Sequence, residues 1–385
     1  MSTAQQPRLK FIISSQYFIN FGVLGIFLPF FNLYCYHLGF SGIQIGTLSA
    51  LRSAALVLFP LIWGSLADRF NLRKPIYILC TFLSTSTWIL YLFFDDFWPM
   101  LMITALYSMF YAPIISFLEA VTMDVLGAEK KSYGRIRAWG SISFIFMVLV
   151  LGRIIDLFSL NIILILILAG SLMLAAVSIR IPAVKIPHKD LMAQGAGKLL
   201  TKRSVVFLFC AFLMLASHGA YYGFFSIHLQ NLGYDNTFIG IAWAVASGSE
   251  ILVMIKSDKI FGRFSLENVL FFSFLTAAVR WMILFFAGSA AVILLSQILH
   301  AVTYGTFHMA SILYIDHLAP EQAKTLGQAV NNALSYGLGL MVGLFINGYV
   351  YEITGSHTLF LMSALIALAA GILFQSYQLA VRRQG

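Results

Sequence analysis

Charge is what this chain has least of. Only 10% of its residues are Asp, Glu, Lys or Arg, whereas 60% are hydrophobic and the mean hydropathy is +0.88. A soluble domain carries about 25% charged residues, so a water-facing fold is excluded and lipid is the expected solvent. Cysteine is scarce as well. Cys35, Cys80 and Cys210 lie far apart in apolar stretches without CxxC spacing. That excludes a disulfide framework and a zinc site, and leaves them as small core residues. No nucleotide-binding GxxxxGK[ST] loop is present, and no nucleophile stands at a recognisable spacing from a base. ATP-driven pumping is therefore excluded, and neither an enzyme, a cofactor nor a metal is expected. The net charge of +9 comes without a continuous basic patch or recognition motif, so it does not point to nucleic acid.

What the chain does have is apolar runs. They recur near residues 11–36, 43–67, 75–94, 98–122, 136–158 and 160–181, then near 204–230, 238–256, 266–287, 290–315, 325–350 and 356–380. A helix needs about 20 such residues to cross a bilayer, so the expected fold is an all-α membrane protein with twelve transmembrane helices. The first run is too long for a signal peptide and is matched by the seventh, so it is expected in the mature fold.

The halves repeat. Leu38-Gly39-Phe40-Ser41-Gly42-Ile43-Gln44-Ile45-Gly46 returns 194 positions later as Leu232-Gly233-Tyr234-Asp235-Asn236-Thr237-Phe238-Ile239-Gly240. At the same offset Phe30-Phe31 meets Phe224-Phe225, Gly25 meets Gly219, and Arg69-Phe70 meets Arg263-Phe264. Six spans per half means that both halves enter the membrane from one side, so the repeat is parallel. The domains expected are residues 1–181 and 204–385, each a six-helix bundle, joined by a polar linker over 182–203 that is cytoplasmic.

Lysine and arginine orient the chain independently. Arg8, Lys10, Arg69, Arg73, Lys74, Lys130, Lys131, Arg135, Lys198, Lys202, Lys256, Lys259, Arg263, Lys324, Arg382 and Arg383 fall at one set of alternate ends, whereas His37 to Gly42, Asp95 to Pro99 and Asn231 to Thr237 contain none. The basic side is cytoplasmic. Both termini are thus expected in the cytoplasm of a cell whose plasma (inner) membrane holds the protein, which is expected to work as a monomer.

Ionisable residues inside spans cost about 2.5 to 3.5 kcal/mol near the bilayer centre on insertion scales, so they form the functional shortlist. Glu119 and Arg137 flank one polar turn and suit either a polar-solute clamp or a structural ion pair locking two helices. Glu250 shares a helical face with Trp243 and Ser247, a cavity face or a packed neutral carboxyl. Arg280 cannot lose its proton and needs an acceptor, either Glu250 or an anionic solute group. His300 and His308, with Gln297 and Tyr304 nearby, suit proton relay or helix-to-helix hydrogen bonding. His218, Tyr221, Tyr222, Phe224 and Phe225 give the seventh span an aromatic face, for a flat solute body or for core packing.

The most specific run follows the second span: Gly64-Ser65-Leu66-Ala67-Asp68-Arg69-Phe70-Asn71-Leu72-Arg73-Lys74. It resembles the GxLaDrxGrkxxl signature of the major facilitator superfamily. Nearly end to end the chain resembles the phenylpropionate permease group, and more distantly lactose permease and the oligosaccharide:proton symporters. Its most specific stretches are Tyr133-Gly134-Arg135-Ile136-Arg137-Ala138-Trp139-Gly140-Ser141, Ala220-Tyr221-Tyr222-Gly223-Phe224, Ser249-Glu250-Ile251, Arg280-Trp281 and Gln297-Ile298-Leu299-His300. By similarity to lactose permease, Glu119 and Arg137 match a sugar-binding pair, and Glu250, Arg280 and His300 match its binding and proton-coupling cluster. That family's proton-carrying acid three positions after the histidine is Thr303 here, its acidic pair in span seven is Tyr222 and Phe225, and its span-eleven lysine is Tyr336.

The resemblance implies the major facilitator fold and a proton-coupled symporter of a small organic solute, with its site between the halves and access alternating as they rock. Glu119, Arg137, Tyr221, Tyr222, Trp243, Arg280 and Gln297 are the expected substrate-binding residues. Glu250, His300 and His308 are those expected to couple protons, and Gly64, Asp68, Arg69 and Arg73 to latch the cytoplasmic side. A tyrosine-rich site with two arginines suits an aromatic or amphipathic carboxylate such as 3-phenylpropionate. A sugar or nucleoside symporter, or an uncoupled facilitator, is the alternative.

Overall fold

The computed structural model describes residues 5–182 and 201–383, so the linker expected at 182–203 lies almost wholly outside the described residues. Everything regular in it is helical. Lipid supplies no hydrogen bonds to the backbone, so an apolar chain in a bilayer must satisfy its amides within each helix. Among the described residues eleven helices are long and apolar enough to span a membrane: α1 Gln5–His37, α2 Gly42–Phe70, α3 Arg73–Leu92, α4 Phe97–Leu126, α5 Tyr133–Leu157, α7 Lys202–Asn231, α8 Asn236–Arg263, α9 Leu266–Phe286, α10 Ala290–Leu318, α11 Glu321–Thr354 and α12 Ser356–Arg382. The twelfth, α6 Ile162–Ser178, is shorter and equally apolar. These are the twelve helices expected from the apolar runs.

The repeat seen in the sequence is also present in the backbone. Gly39 and Gly233 stand at equivalent positions with φ of +83° and +87°. After α1, Leu38 N–H donates to Tyr34 O and Phe40 N–H to Cys35 O; after α7, Leu232 N–H donates to His228 O and Tyr234 N–H to Leu229 O. A left-handed residue at this position lets the chain fold back over the last carbonyls of the helix, and glycine adopts it without a Cβ clash.

The helices form two compact units. The first contains α1, α3 to α6, α2 from Ala54 onward and the α8 segment Asp235–Ala244. Its core joins Tyr17, Tyr77, Phe110, Ile114, Leu118 and Val121, and α1 threads it with polar ties. Tyr77 Oη donates to Gln16 Oε1 (2.8 Å), Gln16 Nε2 to Leu174 O (3.3 Å), and Thr122 Oγ1 to Tyr17 Oη (3.3 Å). At one end Lys10 Nζ lies 2.6 Å from Glu129 Oε2 in the α4–α5 turn, and its hydrogen bond and charge hold that carboxyl below its ordinary pKa. The start of α8 is fixed by Asp156 near the end of α5. Its two oxygens accept from the Asn236 and Thr237 amides (3.0 and 2.8 Å) and from both side chains (2.8 and 2.5 Å), satisfying a positive helix N-terminus with a carboxylate.

The second unit contains the α2 segment Ser41–Ser53, α7, α8 from Val245 onward and α9 to α12. There Glu352 near the end of α11 accepts from the Gly42 amide at the start of α2 (2.6 Å). Close approach requires glycine here: a Cβ on Gly46 would stand 2.8 Å from Gly348 Cα. Phe207, Phe274, Tyr314 and Phe374 interlock as the aromatic core. Both units expose large apolar side chains along their helices, such as Met102 and Ile165 in the first and Leu295 and Ile372 in the second, as a lipid-facing surface does.

Candidate functional site

The second unit concentrates the ionisable candidates. Arg280 of α9 is fully buried, and its donors point at α10. Nη1 reaches His300 Nδ1 at 2.6 Å and Thr303 Oγ1 at 3.2 Å, while Nη2 reaches Gln297 Oε1 at 2.9 Å. The flat guanidinium is also covered by rings, 4.4 Å from the Tyr221 centroid and 4.6 Å from that of Trp281. A guanidinium only donates, so His300 Nδ1 accepts and the proton of this imidazole sits on Nε2. That nitrogen lies 2.8 Å from Glu250 Oε1 of α8. The tautomer thus follows from the partners: Arg280 donates to Gln297, Thr303 and His300, and His300 donates onward to Glu250.

Two features of α10 make this possible. Gln297, His300 and Thr303 recur every third residue, close enough to the helical period to share one face. Directly after His300 the helix widens into a π turn over Ala301–Thr306, an arrangement that recurs at functional sites. A second π turn spans Asn332–Gly339 of α11 and contains Tyr336, whose hydroxyl lies 2.7 Å from His308 Nδ1. The rings of Tyr221, Tyr222, Tyr304 and His218 gather around His300, with centroids 5.1 to 6.4 Å from it. Tyr222, Tyr304, His308, Tyr336 and Glu250 are partly exposed, whereas Tyr221, Arg280, Gln297 and His300 are buried behind them.

The first unit holds a looser pair. Glu119 of α4 and Arg137 of α5 are both half-buried, and they form no ion pair within the described residues. The Tyr133 hydroxyl donates to Glu119 Oε1 at 3.5 Å, and Tyr133 neighbours Arg137 as well. The Arg137 guanidinium instead lies over Phe21, 3.9 Å from its centroid, and 5.4 Å from that of Tyr17. At the α2–α3 turn Arg73 Nε donates to Asp68 Oδ1 at 2.6 Å, and Nη1 lies 3.9 Å from Asp124 Oδ2. Arg69 is exposed against Phe70, and no atom lies within 4 Å of where a Gly64 Cβ would stand. Trp243 is buried in the α8 segment that belongs to the first unit, so it does not share a unit with Glu250.

Of the sequence candidates, Tyr221, Tyr222, Glu250, Arg280, Gln297 and His300 thus come together, with the His308–Tyr336 pair adjoining through Tyr304. Sequence reasoning missed Thr303, noted only as the place of an absent acid, although its three-residue spacing from His300 puts it on the same face. An apolar groove of about 730 Å³, lined by Leu275, Val279, Met282, Phe286, Val292 and Leu368, contains none of the candidates. No three His, Cys, Asp or Glu side chains form a metal cluster among the described residues.

Known proteins resemble the chain over nearly its whole length. The pattern of the MFS_1 like family matches residues 11–362. A probable 3-phenylpropionic acid transporter of Escherichia coli (strain K12) is 27% identical over 365 residues, covering 92% of this chain and 94% of its own. The maltose permease of Geobacillus stearothermophilus is 26% identical over 346 residues, covering 87% and 86%. The crystal structure of the nucleoside transporter NupG shares the fold with a TM-score of 0.83 at 20% identity, covering 96% of this chain and 98% of that one.

Proposed function

The chain belongs to the MFS_1 like family of transporters, so it is a multi-pass membrane transporter of a small solute rather than an enzyme, and from that premise we propose that it is a proton-coupled symporter of an aromatic or amphipathic carboxylate. 3-Phenylpropionate is the first candidate. The similarity to the E. coli transporter of that name supports this choice, as does the density of tyrosine around an arginine-centred cluster. The halves 1–181 and 204–385 act as two bundles that give alternating access. The protein sits in the inner membrane as a monomer with both termini in the cytoplasm, an orientation that the distribution of lysine and arginine over its loops supports.

The observation that carries the reading is the chain Gln297–Arg280–His300–Glu250. Because Arg280 holds His300 Nδ1 as an acceptor, Nε2–H points at Glu250 and favours its carboxylate. A proton arriving on Glu250 removes the charge that this bond stabilises, and the change passes through His300 to Arg280 and the rings upon it. Proton binding and the shape of the aromatic cluster are thereby linked, which is the requirement for coupling. His308 and Tyr336 serve as the outer relay. Arg137, with Glu119 and Tyr133, takes the polar end of the solute, and Tyr221, Tyr222 and Trp243 its apolar body. Asp68 and Arg73 hold the α2–α3 turn, with Gly64 and Arg69 in the last two turns of α2, as the cytoplasmic latch.

The test is uptake of radiolabelled 3-phenylpropionate into proteoliposomes with and without an inward-directed proton gradient, with lactose and a nucleoside as comparators. Accumulation beyond the pH-partition level of protein-free liposomes is expected. Equal equilibration rates under both conditions would replace symport by facilitation, and accumulation of only the sugar or the nucleoside would replace the solute class.

A further inference from the structure

His218 interrupts the seventh span. The first half of α7 ends at Ser217 and the second begins at Gly219, because the His218 amide bonds to Leu215 O, three residues back (3.1 Å), instead of to Met214 O. The Met214 carbonyl is thereby left to side chains. It accepts from Ser217 Oγ (2.6 Å) and from His218 Nδ1 (2.8 Å). A carbonyl cannot donate, so Nδ1 carries the proton and Nε2 is a bare lone pair. The ring is wholly buried, and Nε2 has no hydrogen-bond partner.

Most donors around it are committed elsewhere, and the Arg280 Nε–H, itself buried without a partner, does not reach it. Trp281, whose ring centroid is 5.0 Å away, gives its indole N–H to Ser217 Oγ (3.3 Å). His300, at 6.3 Å, gives its Nε2 proton to Glu250, and both Nη atoms of Arg280 point at acceptors on α10. The rings of Tyr222 and Tyr304 neighbour His218, centroids at 6.3 and 6.1 Å, and both are partly exposed with staggered χ1 alternatives. A buried acceptor without a donor destabilises the fold unless something serves it. With the Arg280 guanidinium against the same Trp281 ring, a cation is a poor occupant and a neutral O–H or N–H donor a good one.

We propose that His218 Nε2 is the specificity-determining acceptor of the transport site, and that the transported solute carries, besides its flat apolar body, a neutral hydrogen-bond donor such as a ring hydroxyl or a ring N–H. This rests on the transporter reading above and narrows it: of the aromatic carboxylates, the hydroxylated ones are preferred. An ionised carboxylate has no proton to give His218, so its place is at an arginine, and the hydroxyl is the second point of recognition. Tyr222 or Tyr304 turns aside as the solute enters.

The test compares solutes that differ only in hydroxyl groups. Uptake of 3-phenylpropionate is measured beside its three ring-hydroxylated isomers, and uridine beside 2′,3′-dideoxyuridine, in proteoliposomes holding the native protein, His218→Phe or His218→Asn. The native protein is expected to favour one hydroxylated isomer over the parent acid by roughly tenfold in kcat/KM. His218→Phe, which keeps a ring but no acceptor, should bring that ratio near one, and His218→Asn, which keeps a donor and an acceptor, should restore part of it. Because the readout is a ratio between two solutes in one preparation, a partly unfolded variant lowers both rates and leaves the ratio interpretable. Uptake of the acids with no hydroxyl preference, or with one that His218→Phe leaves intact, overturns the inference while the carboxylate reading stands. A His218-dependent preference for uridine with no uptake of any acid keeps the inference and overturns the carboxylate reading. Transport of neither series overturns both.

Discussion

The two units of this protein each carry a polar cluster, and the two clusters are built in opposite ways. In the second unit both Nη atoms of Arg280 are engaged by α10, the guanidinium is roofed by Tyr221 and Trp281, and His300 donates from Nε2 to Glu250. In the first unit Arg137 rests on Phe21, stays half-exposed and forms no ion pair among the described residues. An interlocked buried network transmits a change at one member to all the others, whereas a stacked, partly solvated guanidinium keeps its donors for an incoming group. On the symporter reading proposed above, the interlocked cluster suits holding a proton and the stacked arginine suits holding the solute's carboxylate, and each can be attacked on its own.

The largest effect is expected at the interlocked end. Arg280→Met strips the donor from His300, Thr303 and Gln297 and should cost roughly 3 to 5 kcal/mol, the range for removing one partner from a buried charged network. Thermal unfolding in detergent micelles would show it, and uptake should be abolished with it. Glu250→Gln is nearly isosteric and should leave the fold intact while abolishing uphill accumulation and sparing solute exchange. Accumulation persisting in that variant would remove Glu250 from proton coupling.

Arg137→Lys keeps the charge but loses the planar guanidinium over Phe21 and the forked donors. It should raise the KM for a carboxylate solute about tenfold, with a melting temperature close to that of the native protein. A fall in stability comparable with Arg280→Met would erase the distinction between the clusters. The smallest effect belongs to Asp156→Asn, which weakens the carboxylate at the start of α8. Loss of about 1 kcal/mol is expected there, read as faster amide hydrogen exchange at Asn236 and Thr237 than at the glutamate-capped start of α2.

Much of the architecture is legible without coordinates. The twelve helices follow from apolar run length, and the Leu-Gly-Phe and Leu-Gly-Tyr copies foretell two equivalent left-handed glycine turns at Gly39 and Gly233. Glu250, Arg280, Gln297 and His300 could be chosen one by one, because an ionisable or amide side chain in lipid must have a partner. Which partner it has was not legible. The sequence offers Arg280 either Glu250 or a solute as its acceptor, and it bonds instead to His300, Thr303 and Gln297, with Glu250 one step further along. Helix period brings Trp243 and Glu250 to one face of α8, but that helix passes from one compact unit to the other between them.

By itself, then, the sequence determined that this chain lives in a membrane, crosses it as a parallel pair of six-helix halves and carries a few costly polar groups there. Local physics suffices for that, since hydropathy and the helical period act over a turn or a span. Tertiary structure alone decided that His300 is held with its proton on Nε2, that Thr303 answers Arg280, and that the break at His218 leaves a buried lone pair without a donor. Each of these depends on where two or three helices distant in sequence place single atoms to within a few tenths of an ångström, and no pattern along one helix records that.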